Sequence, residues 1–238
     1  MPILNFVILL FNAFYYLIKL IHTLMATLKN GKGAFIGKLG NTVSYWLNGK
    51  LVRREIGITN KLPSVCQSAS RQITSIVSKF LAPLKEYINI GFELEGKQAK
   101  KNPNNMASSF NRKFAIKGEY PDQKINFPKV LLSKGKMPPT KNVAMNISPE
   151  GLVFTWDTAI SGTGIRWSDQ VMMMGYMPDL QEATYVLNGA KRLEGKDLLQ
   201  LPRTKEGVWV ETYISFVAAN RKSVSNSIYT GRVFWEGI

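Results

Sequence analysis

Histidine and cysteine carry much of enzyme chemistry, and this chain has one of each. His22 and Cys66 are the only examples in 238 residues. From residue 25 onward there is no imidazole to serve as a general base, activate a thiol or ligate zinc. Cys66 borders an apolar stripe and reads as a small core or boundary residue rather than a nucleophile. One cysteine excludes an internal disulfide and says little about compartment. Asp157, Asp169 and Asp179 are predicted to bracket one end of a group of strands, where carboxylates can gather; random loop placement explains them equally well. Glycines 31, 33, 37 and 40 punctuate GKGAFIGKLG. That spacing is neither the G-x-G-x-x-G nor the G-x-x-x-x-G-K-[ST] phosphate loop, so turn chemistry is its expected role. No cofactor, no metal and no catalytic residue is expected.

The chemistry that remains is cationic. From Met25 to Pro138 there are 20 Lys+Arg against 6 Asp+Glu; from Pro139 to Ile238 there are 10 against 10. Such a step predicts two modules with different partners, the basic one facing something anionic. The side chains expected to reach phosphates or similar groups are Lys38, Lys50 and Arg54 on a hairpin, and Arg71, Lys79, Arg112 and Lys113 on helices. In a strand neighbours point to opposite faces, so Arg54 is in phase with Lys50 and Val52, and Arg53 with Leu51.

The elements that position these residues are legible. NTVSYWLNGKLVRREI alternates, and Asn48-Gly49 is a strong type I′ hairpin signal, which predicts strands near 41–47 and 50–57. Ser64 caps an apolar stripe at Val65, Ala69, Ile73, Ile76, Val77, Phe80, Leu81, Leu84 and Ile88, with a break at Pro83. Asn102-Pro103 starts a second helix carrying Met106, Ala107, Phe110 and Phe114 and closing at Gly118. Ile125, Phe127 and the Val130-Leu131-Leu132 run are expected to pack as an edge strand, since Pro128 cannot sit in a central one. Pro138-Pro139 marks the module boundary. Seven strands follow, at 143–147, 152–156, 171–177, 183–187, 197–201, 208–219 and 225–235. Trp156 and Tyr213 are expected between the sheets, and Met172–Met174 as strand core. The fold class is α+β: a basic hairpin-plus-helices module at 25–138, then an all-β immunoglobulin- or fibronectin-like sandwich at 139–238.

Residues 1–24 are apolar, broken by Asn5, Asn12, Lys19 and His22. They approach the ~20 residues that span a bilayer. As an anchor, with the basic block directly after it, the segment places the C-terminal side in the cytoplasm. If translation starts at Met25 instead, the segment is an upstream artefact and the protein is cytoplasmic. A signal peptide fits less well, because the basic n-region and the small residues of a cleavage site are missing.

MATLKNGKGAFIGKLGNTVSYWLNGKLVRR, FLAPLKEYINIGFE, GEYPDQKINFPKVLLSKGKMP and the closing Val224-Ser225-Asn226-Ser227-Ile228-Tyr229 resemble an uncharacterised bacterial family, a domain of unknown function. The resemblance covers about residues 25–235. It implies a start at Met25, a glycine-punctuated hairpin, a helical middle and a β-sandwich tail, and it implies no activity.

The expected function is a non-enzymatic binding or structural protein. The basic module docks on an anionic partner: nucleic acid, lipid headgroups or an acidic protein. The sandwich serves as a spacer or protein-binding module. The alternative is a dedicated nucleic-acid binder, with Tyr45 and Trp46 available for stacking, although no recognised nucleic-acid motif is present. An enzyme ranks third.

Overall fold

A computed structural model describes residues 27–28, 35–160 and 164–236. The apolar segment 1–24, Gly31 and Gly33 lie outside the described residues. The chain divides into two compact units between Leu62 and Pro63.

The first unit is an antiparallel meander in the order β1 (Thr27–Leu28), β2 (Phe35–Leu39), β3 (Thr42–Leu47) and β4 (Lys50–Glu55). Asn48 and Gly49 both take positive φ, 50° and 77°, as a two-residue type I′ turn requires. β4 is an edge strand, and four of its six residues are charged, which discourages further strand pairing.

The second unit begins with α1 (Val65–Leu81). Ser64 accepts from the Gln67 amide while the Gln67 side chain accepts from the Ser64 amide, a complete capping box. Pro83 interrupts the apolar stripe as expected: a 3-10 turn at Ala82–Leu84 separates α1 from α2 (Lys85–Gly91). α3 (Glu93–Ala99) and α4 (Pro103–Phe114) follow, with Asn102 capping α4. α4 stops at Phe114 rather than at Gly118. Gly118, at φ 81°, instead turns the chain between β5 (Ile116–Lys117) and β6 (Lys124–Ile125). Cys66 is exposed in the first turn of α1, not at a core boundary.

Residues 130–132 are not a strand, contrary to the sequence expectation. Their backbone is satisfied by side chains. The buried Asn111 amide accepts from Leu131 N–H at 2.9 Å and donates to Leu131 C=O at 2.8 Å, and Ser227 Oγ accepts from Leu132 N–H at 2.9 Å. With those groups paired, Val130 and Leu132 enter the core from an irregular segment.

All seven C-terminal strands form, and the protein is α+β. β7 (Ala144–Ser148), β8 (Gly151–Thr155) and β11 (Lys196–Gln200) make one antiparallel sheet, in the order β11-β8-β7. β9 (Gln170–Met177), β10 (Glu182–Val186), β12 (Val208–Val217) and β13 (Ile228–Trp235) make the other, in the order β10-β9-β12-β13. The four-stranded sheet is covered on both faces. Val171, Met173, Ile214 and Phe216 pack with Leu152, Phe154 and Leu199 of the three-stranded sheet. Met172, Met174, Tyr176, Tyr213 and Val217 pack with Val77, Phe80, Leu84, Tyr87 and Ile88 of the helical segment.

One expectation holds here and two change. Trp156 lies in the inter-sheet core, edge-on to Phe216 at 5.4 Å between centroids. Tyr213 faces the helices instead and donates to Phe127 C=O at 2.8 Å. The composition step at Pro138-Pro139 falls inside the second unit, because residues 63–132 and the four-stranded sheet share one core.

That core has a pH consequence. Burial raises the Tyr87 hydroxyl well above its usual range, opposed in part by its 2.8 Å hydrogen bond with Ser215 Oγ. Burial raises Tyr213 likewise, with Glu211 and Tyr229 adding to it. In both cases the native state holds the proton that the unfolded chain releases near pH 10. Stability is unaffected below that pH and falls above it, by about 1.4 kcal/mol per pH unit for each tyrosine. Urea midpoints measured between pH 9 and 11 will therefore drop steeply, and Tyr87→Phe will flatten the slope by one tyrosine's share.

Candidate anion-binding surface

The hairpin register fixes where its cations point. Lys38 and Arg54 flank Val43 in one cross-strand row, and Lys50 pairs with Leu47 on the same face. Lys38, Lys50 and Arg54 thus share a face with half-buried Val43, Tyr45 and Val52, and all three are exposed. Arg53 lies on the opposite face, where its Nε donates to Ser44 Oγ at 3.2 Å. That face also carries exposed Leu39, Trp46 and Leu51.

In the second unit the predicted cations lie on two helices. Arg71 and Lys79 stand on the exposed face of α1 with Thr74, Ser75 and Ser78. Arg112 and Lys113 occupy the last turn of α4, where the helix dipole favours positive charge. They line a shallow groove with Asn105, Ser108 and Ser109 of α4 and Ile73 of α1. Lys113 Nζ also sits 5.1 Å from the centre of the Phe114 ring. Among the described residues, none of these seven cations has a carboxylate partner within 4.0 Å. Two ion pairs of the helical segment, Lys97–Glu93 and Lys134–Glu95, involve other lysines.

The charge is polarised within the second unit. Residues 63–138 carry 13 Lys+Arg against 5 Asp+Glu, whereas residues 139–238 balance at 10 and 10. The net positive charge therefore belongs to the segment that covers one face of the four-stranded sheet. Residues 1–62 add 8 against 1.

The three aspartates do not gather. Asp169 and Asp179 flank β9 at opposite ends, on the order of 30 Å apart along the chain. Asp157 Oδ1 accepts from Ala159 N–H at 2.9 Å, a local turn contact. Asp169 is fully buried against Arg192, with Nε 3.5 Å from Oδ2, and it accepts from Arg166 N–H at 2.8 Å. The Arg192 guanidinium stacks 4.0 Å from the Phe216 ring centre. Burial pushes its pKa down while Asp169 pulls it back. This pair is a core feature, with Asp169 0% and Arg192 1% exposed. Among the described residues no cluster of His, Cys, Asp and Glu is suited to a metal ion.

Sequence reasoning missed a second basic concavity, lined by Lys134, Lys136 and Lys222. Its signal was the Lys-Gly-Lys of SKGKMP, but Lys222 lies 86 positions further on, and only the fold brings it close.

These features define a class: an α+β protein with two packed antiparallel sheets, a basic helical cover and an exposed basic hairpin. The chain belongs to DUF6266, a family of unknown function, whose model matches residues 33–231. No curated protein and no solved structure matches it. No helix among the described residues is long and apolar enough to cross a membrane.

Proposed function

We propose that this protein is a non-enzymatic binding protein whose hairpin and helical cover dock on a polyanionic partner. The carrying observation is the polarised net charge of the second unit, positive over residues 63–138 and balanced over residues 139–238. Unpaired, exposed Arg71, Lys79, Arg112 and Lys113 supply the contacts there, and Lys38, Lys50 and Arg54 supply them on the hairpin. Hydroxyl side chains between the α1 cations offer further donors to phosphate or sulfate oxygens. The strand division supports a fibronectin-like module acting as spacer or protein-binding surface. The first, second and fifth sandwich strands form one sheet, and the third, fourth, sixth and seventh the other.

Heparin chromatography tests the reading. Replacing Arg71, Lys79, Arg112 and Lys113 together by glutamine will shift elution to clearly lower salt, with melting unchanged. Lys50→Ala with Arg54→Ala will shift it more than Arg53→Ala, because the latter cation is engaged with Ser44 on the other face. Equal shifts from removing four sandwich cations, Lys141, Arg203, Lys205 and Lys196, would mean that bulk charge alone governs retention.

One observation favours nucleic acid as the polyanion. Trp46 is more than half exposed on the hairpin face that also carries Arg53, so a base can stack beside a cation there. On single-stranded DNA, log K falls with log salt by about 0.7 per phosphate neutralised. Trp46→Ala will weaken that binding without changing this slope.

A further inference from the structure

Among the described residues, a cleft of about 570 Å³ in the second unit is lined by none of the seven cations named above. Its volume is in the range of small-molecule sites. We propose that it binds a compact phosphorylated polyol of sugar size.

Three segments build the walls. α3 supplies Leu94, Glu95 and Gln98; the strap after Leu132 supplies Lys134, Gly135 and Lys136; the loop before β13 supplies Lys222, Ser223 and Asn226. The strap holds the SKGK stretch, and the loop runs into VSNS, which begins 91 residues after SKGK begins; neither supplies any of the seven cations named above.

The frame is rigid. Ser133 Oγ donates to Ser225 C=O at 2.9 Å, Ser227 N–H to Ser133 C=O at 3.1 Å, and Met137 N–H to Val224 C=O at 3.1 Å. Lys134 N–H donates to Gly91 C=O at 2.9 Å, which ties the strap to the end of α2. Gly135 lies so close to the loop that a Cβ would run into the Val224 carbonyl. Its N–H donates to Asn226 Oδ1 at 3.1 Å, which leaves the Asn226 amino group as a free donor.

The lining chemistry selects the ligand. Lys134 is held by Glu95 and partly neutralised. Lys136 and Lys222 are exposed and, among the described residues, have no carboxylate within 4.0 Å. Two free ammonium groups suit a phosphate dianion. Gln98, Ser223 and Asn226 suit hydroxyls. Among the described residues no aromatic ring lines the cleft to stack a nucleobase, and Leu94 is the one apolar side chain of the lining.

Titration calorimetry of the full chain at physiological salt, with glycerol 3-phosphate, glucose 6-phosphate, glucose and citrate, tests this. A phosphate ester will bind saturably at one site, and glucose will not. Lys136→Gln with Lys222→Gln will weaken binding by about tenfold or more and leave melting unchanged. Arg112→Gln with Lys113→Gln will leave it intact, so the cleft stands whether or not the polyanion surface does. Absence of saturable binding by both phosphate esters at millimolar concentration overturns the site. Citrate binding as tightly as the esters overturns the phosphate assignment. Equal losses from both pairs of substitutions reduce the effect to net charge and overturn it too.

Discussion

Residues 139–238 expressed alone will not fold, whereas residues 63–238 will give a cooperative melt. A chain starting at Pro139 keeps all seven sandwich strands and, apart from Met137, the buried residues of the inter-sheet core. It loses the helices that cover Met172, Met174, Tyr176, Tyr213 and Val217 on the other face. Burying a large apolar side chain contributes about 1.5–3 kcal/mol, so exposing five of them costs on the order of 10 kcal/mol. That matches the whole stability of a typical domain. The fragment also loses two hydrogen bonds to the helical segment, Tyr213 to the Phe127 carbonyl and Ser215 Oγ to Tyr87, which water replaces on the exposed face. Circular dichroism and a urea melt of both fragments decide the matter. A well-folded 139–238 would show that the sandwich stands without its helical cover.

Breaking the Asp169–Arg192 pair from either side will be the most damaging conservative substitution in the inter-sheet core. Asp169 is 0% and Arg192 1% exposed, so neither charge can reach water if its partner is removed. Leaving one charge buried alone costs about 3–5 kcal/mol. Asp169→Asn keeps an acceptor for the Arg166 amide but removes the counter-charge. Arg192→Met keeps volume and apolar contact with Phe216 but leaves the carboxylate unpaired. Each alone will lower the melting temperature by about 10 °C. The double substitution Asp169→Asn with Arg192→Met will recover much of that loss, because no charge then remains in the core. Simple additivity of the two single effects would show that the groups act independently.

Strand positions were readable because alternation, turn glycines and β-branched residues all act locally. Asn48-Gly49, Ser64 and Pro83 did what their backbone chemistry requires. Tyr213 was misplaced because alternation assigns a residue to a face without saying what covers that face. The unbroken run VMMMGYM carried the missing information, since a strand apolar at every position is buried on both sides. Residues 130–132 read as a strand because their apolar pattern suits one; the side chain of Asn111, 20 residues away, took the partner's role. The exposed cations of the proposed surface were legible by type, but their division between two units was not. Nor was the Lys134–Lys136–Lys222 cleft, since proximity across 86 positions leaves no local trace. The boundary expected at Pro138-Pro139 followed composition, whereas the physical break follows the shared core.

β9 places Met172 and Met174 in one core and Met173 in the other. Its alternation makes a single strand a load carried by two interiors at once. Neither interior can loosen while β9 keeps its shape, so thermal unfolding of residues 63–238 should appear calorimetrically as one event with matching van't Hoff and measured enthalpies. Hydrogen exchange at the β9 amides should then report the global opening, and the helices and the three-stranded sheet should lose protection together rather than in sequence.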